Sequence, residues 1–213
     1  MVNILINESN MFLQFGLTKL FTDTLSQLTK QDLCFDSCFT AKGVRAADVI
    51  VLSLCAGEYL TCFPELQERK KGFVIGLVED LTLVNALPDC FQDVIFISRR
   101  ATLSEFTEAL THAWQRGIVQ NGSGSMMSCI DCQQNKLSPQ QARIILGFYR
   151  GLSVAKIADE LSVSDKTVFT HKYIIMNKFR LRSDYELVSL LNKVANAKRL
   201  ALRASALDVY RAD

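Results

Sequence analysis

The stretch "SVSDKTVFTHKYIIMNKFRL", residues 162–181, carries five basic side chains, counting His171, and three aromatic ones on what reads as a single helix. Val168, Ile175 and Phe179 recur at i, i+7 and i+11, which places them on one apolar stripe. The opposite face then carries Lys166, Phe169, Thr170, Tyr173, Asn177 and Arg180. A helix with a greasy back and a front of amide, hydroxyl, basic and aromatic groups takes its meaning from its neighbours.

Those neighbours are clearly punctuated. Ser138-Pro-Gln-Gln141 is a capping box with proline at the first helical position, and the helix it opens runs to about Arg150 before Gly151. Ser153 caps a second helix, "VAKIADEL", ending near Leu161. Ser164 caps the quoted helix, with Asp165 at its favourable positive end. Ser183-Asp-Tyr-Glu186 is another capping box and starts a fourth helix, "ELVSLLNKV". Four short helices with tight connections predict a compact bundle, and the second and third form a helix-turn-helix.

Upstream, "QNGSGSMMSCIDCQQNK", residues 120–136, has no apolar periodicity and reads as a linker. The predicted organisation is a domain over 1–117, a linker over 118–136, the helical module over 137–193 and a helical tail over 194–213. In the first domain the apolar runs Val2–Ile6, Leu33–Phe39, Asp48–Leu54, Phe73–Val78 and Val94–Ile97 alternate with helical patterns. The helical patterns are Asn10–Leu28, a brief connection near Lys42–Ala46, Glu58–Lys71, a short stretch around Leu81–Leu87, and Leu103–Arg116 behind the capping box Thr102-Leu-Ser-Glu105. "VIVLSL" and "FVIGLV" are apolar on both pleat faces, as strands covered on both sides must be. The expected fold is a doubly wound α/β domain with five parallel strands, followed by an all-α four-helix helix-turn-helix domain.

Composition narrows the function classes. No apolar run reaches the roughly 20 residues of a membrane helix, and "MVNILINESN" lacks the regions of a secretory signal. The expected location is therefore cytoplasmic. Seven cysteines at irregular spacing read as reduced thiols; Cys129 and Cys132 form one CxxC without a second pair, so neither metal nor cofactor is expected. From Leu137 onward 13 Lys/Arg face 7 Asp/Glu, a balance of +6 that leaves −4 for the first 136 residues of a chain with net charge +2. A basic module on an acidic remainder suggests a polyanionic partner. No nucleophile elbow or glycine-rich phosphate loop is present, so the chain does not read as an enzyme.

The segment "LSPQQARIILGFYRGLSVAKIADELSVSDKTVFTHKYIIMNKFRLRSDYELV" resembles the LuxR/NarL-type (FixJ-like) helix-turn-helix of bacterial transcription factors. The matching elements are Leu137-Ser-Pro, Gly151-Leu-Ser, Ile157-Ala before Leu161, Ser164, Thr167-Val168, His171, Ile175, Lys178 and Leu187. The resemblance implies double-stranded promoter DNA as partner, with the quoted helix in the major groove. On that reading Lys166, Thr167, Phe169, Thr170, Lys172, Tyr173, Asn177, Lys178 and Arg180 contact DNA. The basic residues, Arg182 included, would otherwise be only a solvated face. Lys172 and Lys178 are expected on phosphates, Thr170 and Asn177 on base edges, Phe169 on a thymine methyl, and Tyr173 on a methyl with its hydroxyl on a phosphate. His171, at the edge of the stripe, reads as a hydrogen-bonded packing residue rather than a pH switch.

The first 117 residues resemble the receiver domain that precedes this module in NarL-type response regulators, through "NILINESNMFLQFGLTKLF", "ADVIVLSL" and "DVIFISRRATLSEFTEAL". The departures fall on its chemistry. Ser53 stands where the family has its phosphoacceptor aspartate, the acidic cluster is reduced to Glu8 between Asn7 and Ser9, the Ser/Thr site reads Val78 or Glu79, and the lysine region reads Ser98-Arg99-Arg100. A receiver-like domain without aspartyl phosphorylation is expected, in a protein working as a homodimer or as a heterodimer with a related regulator. An alternative role is an auxiliary partner that modifies a related regulator's DNA binding. A small-molecule sensor domain, built on an antiparallel sheet in quorum-sensing relatives, disagrees with the alternating pattern.

Overall fold

Parallel strands need crossover connections of a dozen or more residues, which the spacing of the apolar runs allows, and all four strand pairs here are parallel. A computed structural model of the chain describes residues 1–83, 87, 91–119 and 137–195. The linker from residue 120, Cys129 and Cys132, and the tail beyond residue 195 lie outside the described residues. The described residues divide into two compact units: 1–54 with 62–119, which holds all five strands, and 55–61 with 137–195, which is helical.

The strands are β1 (Val2–Asn7), β2 (Leu33–Asp36), β3 (Val49–Ser53), β4 (Phe73–Val78) and β5 (Ile95–Ser98), in the order β2-β1-β3-β4-β5. Helices α1 (Met11–Thr29), α2 (Ala41–Ala46) and α3 (Leu103–Val119) connect or follow them. Asn10 caps α1 by accepting from the backbone N–H groups of Phe12 and Leu13, and Lys30 ends it in the left-handed region at φ 51°. On one sheet face Ile4, Val51, Ile75 and Ile97 pack under Leu17, Phe21 and Leu25 of α1 and Phe106, Leu110 and Ala113 of α3. Phe21 and Phe106 meet edge to face at 6.2 Å.

The opposite face departs from expectation. The Glu58–Lys71 helical pattern is not an α-helix: only the 3-10 turns Glu58–Leu60 and Pro64–Glu68 form there. Pro64 is the cause. Its ring would clash with the carbonyl of Leu60, and it holds Phe63 out of the helical region, at φ −111° and ψ 88°. A chain of phenyl rings takes up this face instead: Phe39 on Phe63 at 5.9 Å, Phe63 on Phe91 at 5.4 Å, and Phe91 on Phe96 at 6.3 Å. Gly76 sits opposite Phe96 in the ladder, and a Cβ there would stand 2.8 Å from the ring. Within 81–87 the described part is a turn at Leu81–Leu83.

The C-terminal unit comprises α4 (Pro139–Tyr149), α5 (Val154–Leu161), α6 (Asp165–Lys178) and α7, residues 184–195. The capping box at Ser138 and Gln141 is complete. Ile144, Ile157, Ala158 and Val168 form the buried centre. Gly147 lets α5 approach α4 closely, since a Cβ on it would lie 2.6 Å from Ile157 Cγ1. No helix among the described residues is long and apolar enough to cross a membrane.

Candidate nucleic-acid interface

Three residues join α5 to α6. Ser162, at φ 53°, closes α5 by donating its N–H to the carbonyls of Ala158 and Asp159. Ser164 then opens α6, its hydroxyl accepting from the Thr167 N–H at 3.1 Å. The result is a helix-turn-helix whose second helix buries Val168, Ile175 and Met176.

The exposed side of α6 carries most of the residues expected there. Lys166, Phe169, Thr170, Tyr173 and Asn177 are exposed, while Thr167, Lys178 and Arg180 are half-buried. Phe169 is 43% and Tyr173 57% exposed, so two large rings project from a helix whose other face is core. Thr167 shares a hydrogen bond with the Ser164 hydroxyl at 2.8 Å. Thr170 donates its hydroxyl to the Lys166 carbonyl at 2.8 Å, leaving oxygen lone pairs that can accept from an amino group. Arg180 adopts φ 54°, just past the helix end.

Lys172 is placed differently from the sequence expectation. It is buried at 7% exposure, and its ammonium donates to both carboxylate oxygens of Asp184 at 3.0 Å. The physical reason is angular: Lys172 lies four residues after Val168 and three before Ile175, within the buried stripe. Its ammonium stands over the rings of Phe169 at 5.5 Å, Tyr173 at 5.4 Å and Phe148 at 6.0 Å. His171 is half-buried, but its Nδ1 has no hydrogen-bond partner among the described residues, so the hydrogen bond expected for it is not seen there. Ile174, 44% exposed beside Tyr173, joins the exposed face without a mark in the sequence. An isoleucine next to a stripe residue carries no signal of its own.

A second site lies in the N-terminal unit. In a 2-1-3-4-5 sheet the crevice forms outside the carboxyl ends of β1 and β3, where the strand order reverses. Glu8, Ser53 and Arg99 meet there. The Ser53 hydroxyl and the Arg99 guanidinium both donate to Glu8 Oε2, and Arg99 also reaches the Ser53 oxygen. Glu8 Oε1 accepts from the Asn10 N–H at 2.7 Å. The Glu8 side chain is only 2% exposed. Arg99 and Arg100 also stand 3.8 and 3.7 Å from Glu79. A serine hydroxyl offers neither a carboxylate nucleophile nor a second anionic ligand, and a guanidinium occupies the Glu8 carboxylate. These residues do not fit a magnesium ion, which needs several oxygen ligands around it.

Comparison with known proteins agrees with both units. Residues 135–191 match the family model "Bacterial regulatory proteins, luxR family". The oxygen regulatory protein NreC of Staphylococcus carnosus is 29% identical over 131 residues, 62% of this chain and 55% of that protein. The chain thus spans about half the length of this relative. A structure of RcsB from Salmonella enterica serovar Typhimurium, bound to a promoter with a phosphomimetic, superposes with a TM-score of 0.53 at 20% identity, covering 91% of this chain and 98% of that one. A structure of two RcsB dimers on two parallel DNAs gives 0.50 at 19% identity, covering 91% of this chain and 98% of that one. These two likenesses establish the fold: a five-stranded parallel receiver-like domain followed by a helical domain. Residues 135–191 are thus a luxR-type helix-turn-helix domain, formed by α4 to α7 in this chain.

Proposed function

We propose that this protein is a sequence-specific DNA-binding transcription regulator that works as a dimer and is not controlled by aspartyl phosphorylation. The observation that carries the reading is the exposed front of α6, with Lys166, Phe169, Thr170, Tyr173 and Asn177 side by side within a luxR-family domain. A helix of this kind fits the major groove, where each base pair presents a distinct edge. Lys166, Lys178, Arg180 and Arg182 supply cationic charge for phosphates, and the N-terminal amides of α6 can add to it. One module covers only a few base pairs, so a dimer on a two-part site supplies useful affinity. Met11, Phe12 and Phe15 of α1 are 78%, 89% and 76% exposed, an apolar surface that supports self-association.

Independence from phosphorylation rests on the Glu8–Ser53–Arg99 cluster, in which a guanidinium already neutralises the carboxylate. The test has two arms. Selection from a random duplex library should enrich one motif, and its binding should weaken with salt in proportion to the phosphates contacted. Incubation with a small phosphodonor and magnesium should leave the intact mass unchanged. No enriched motif would remove the DNA reading; a base-labile phosphoryl adduct would remove the second claim.

A further inference from the structure

The buried ammonium of Lys172 has no role in a phosphate-contacting helix face, and burying it is unfavourable. A methionine would fill the same place between Val168 and Ile175 without desolvating a charge. What the ammonium adds is directional. It is bound by both oxygens of Asp184 at 3.0 Å, and its charge sits 5.5 Å from the Phe169 ring centre and 5.4 Å from that of Tyr173. A cation at that range attracts the face of a ring, more strongly where water is excluded, and this one has a 9% exposed side chain. Both rings flank it on α6 and both are open to solvent on their other sides. Asp184, by contrast, is 70% exposed on its side chain and begins α7, so the anchor comes from a different helix.

We infer that Lys172 and Asp184 are positioning residues: a buried ammonium, fixed by a carboxylate from α7, holds Phe169 and Tyr173 from beneath as a preformed two-ring platform. The platform is the apolar part of base reading. Ordering the rings before binding removes an entropy cost of association, and this favours the one sequence whose methyl groups match them. The inference rests on the DNA reading of α6 for its consequence, but the clamp itself is a property of the free protein.

The test uses the full chain with Lys172→Met, a duplex selected by the wild type and a scrambled duplex, titrated by fluorescence anisotropy over a range of salt. Affinity for the selected duplex should fall about tenfold, the scale of one base-pair contact, while the scrambled duplex changes less than about twofold. The salt slope should stay the same, and Lys172→Arg should restore most of the discrimination. In the DNA-free protein, NMR relaxation of the Phe169 and Tyr173 side chains should show increased ring motion in Lys172→Met. A salt slope lower by about 0.9 with equal loss on both duplexes would make Lys172 a phosphate contact and overturn the inference. Unchanged ring order overturns it too, whatever the DNA result. If the wild type prefers no duplex, the DNA reading fails and ring order alone decides the clamp. Should Lys172→Met unfold, Asp184→Asn removes the anchor from an exposed side chain and must give the same pattern, smaller in size.

Discussion

Replacing Phe169 with alanine tests the apolar share of recognition most directly. The ring is 43% exposed in the free protein, so less than half of its surface remains to be buried by a partner. A phenylalanine presents roughly 200 Å² in all, which leaves about 85 Å² for the interface, or close to 2 kcal/mol at about 25 cal/mol per Å². That is an upper value of about 30-fold in affinity, and contact with a single thymine methyl would give less. The assay is titration of the wild type and Phe169→Ala with the selected duplex, a scrambled duplex and a series in which each thymine is replaced by uracil. Phe169→Ala should weaken the selected duplex by about 5- to 30-fold and the scrambled one hardly at all. One thymine-to-uracil change should weaken the wild type but leave the variant unmoved, since the methyl and the ring are partners in one contact. Equal losses on both duplexes, or a wild type indifferent to uracil everywhere, would refute the reasoning and turn the two rings into a surface for another protein.

Three further outcomes follow from packing and charge. Gly147→Ala places a methyl group 2.6 Å from Ile157 Cγ1 and should cost about 1–3 kcal/mol in urea unfolding; that cost should shrink in an Ile157→Ala background, which lacks both Cγ1 and Cδ1. Arg99→Met takes the guanidinium from a 2% exposed Glu8 and should destabilise the N-terminal unit by about 2 kcal/mol, discounted because Arg99 is itself 30% exposed; Glu8→Gln in the same chain should restore most of it. The Thr102 backbone N–H and hydroxyl hold the Glu105 carboxyl below the usual glutamate range. The capping box therefore contributes in full above the ordinary glutamate pKa and fades as pH falls through the lower folded value, a dependence that an NMR titration should find in the wild type and miss in Glu105→Gln.

The sequence alone determined whatever depends on spacing along the chain. The helix starts at Ser138, Ser153, Ser164 and Thr102 were legible because a cap is a local hydrogen bond between residues three apart. The parallel sheet was legible because strands such as Val49–Ser53 and Phe73–Val78, buried at every position, are apolar on both faces. Pro64 was equally readable and marks the place where a helical pattern cannot continue.

The exposed front of α6 was legible from its period, and so, in principle, was Lys172, whose angle lies inside the stripe; a charged residue type outweighed its position. What no spacing contains is the partner. Asp184 is 12 residues away on another helix, and Glu8 lies 45 residues from Ser53 and 91 from Arg99. Only the tertiary fold closes such distances, because the strand order sets the ends of β1 and β3 side by side, the long Arg99 side chain reaches them from beyond β5, and the bundle sets α7 against α6. Buried charges follow from that closure: each is tolerable only once its counter-charge has been brought within a hydrogen bond.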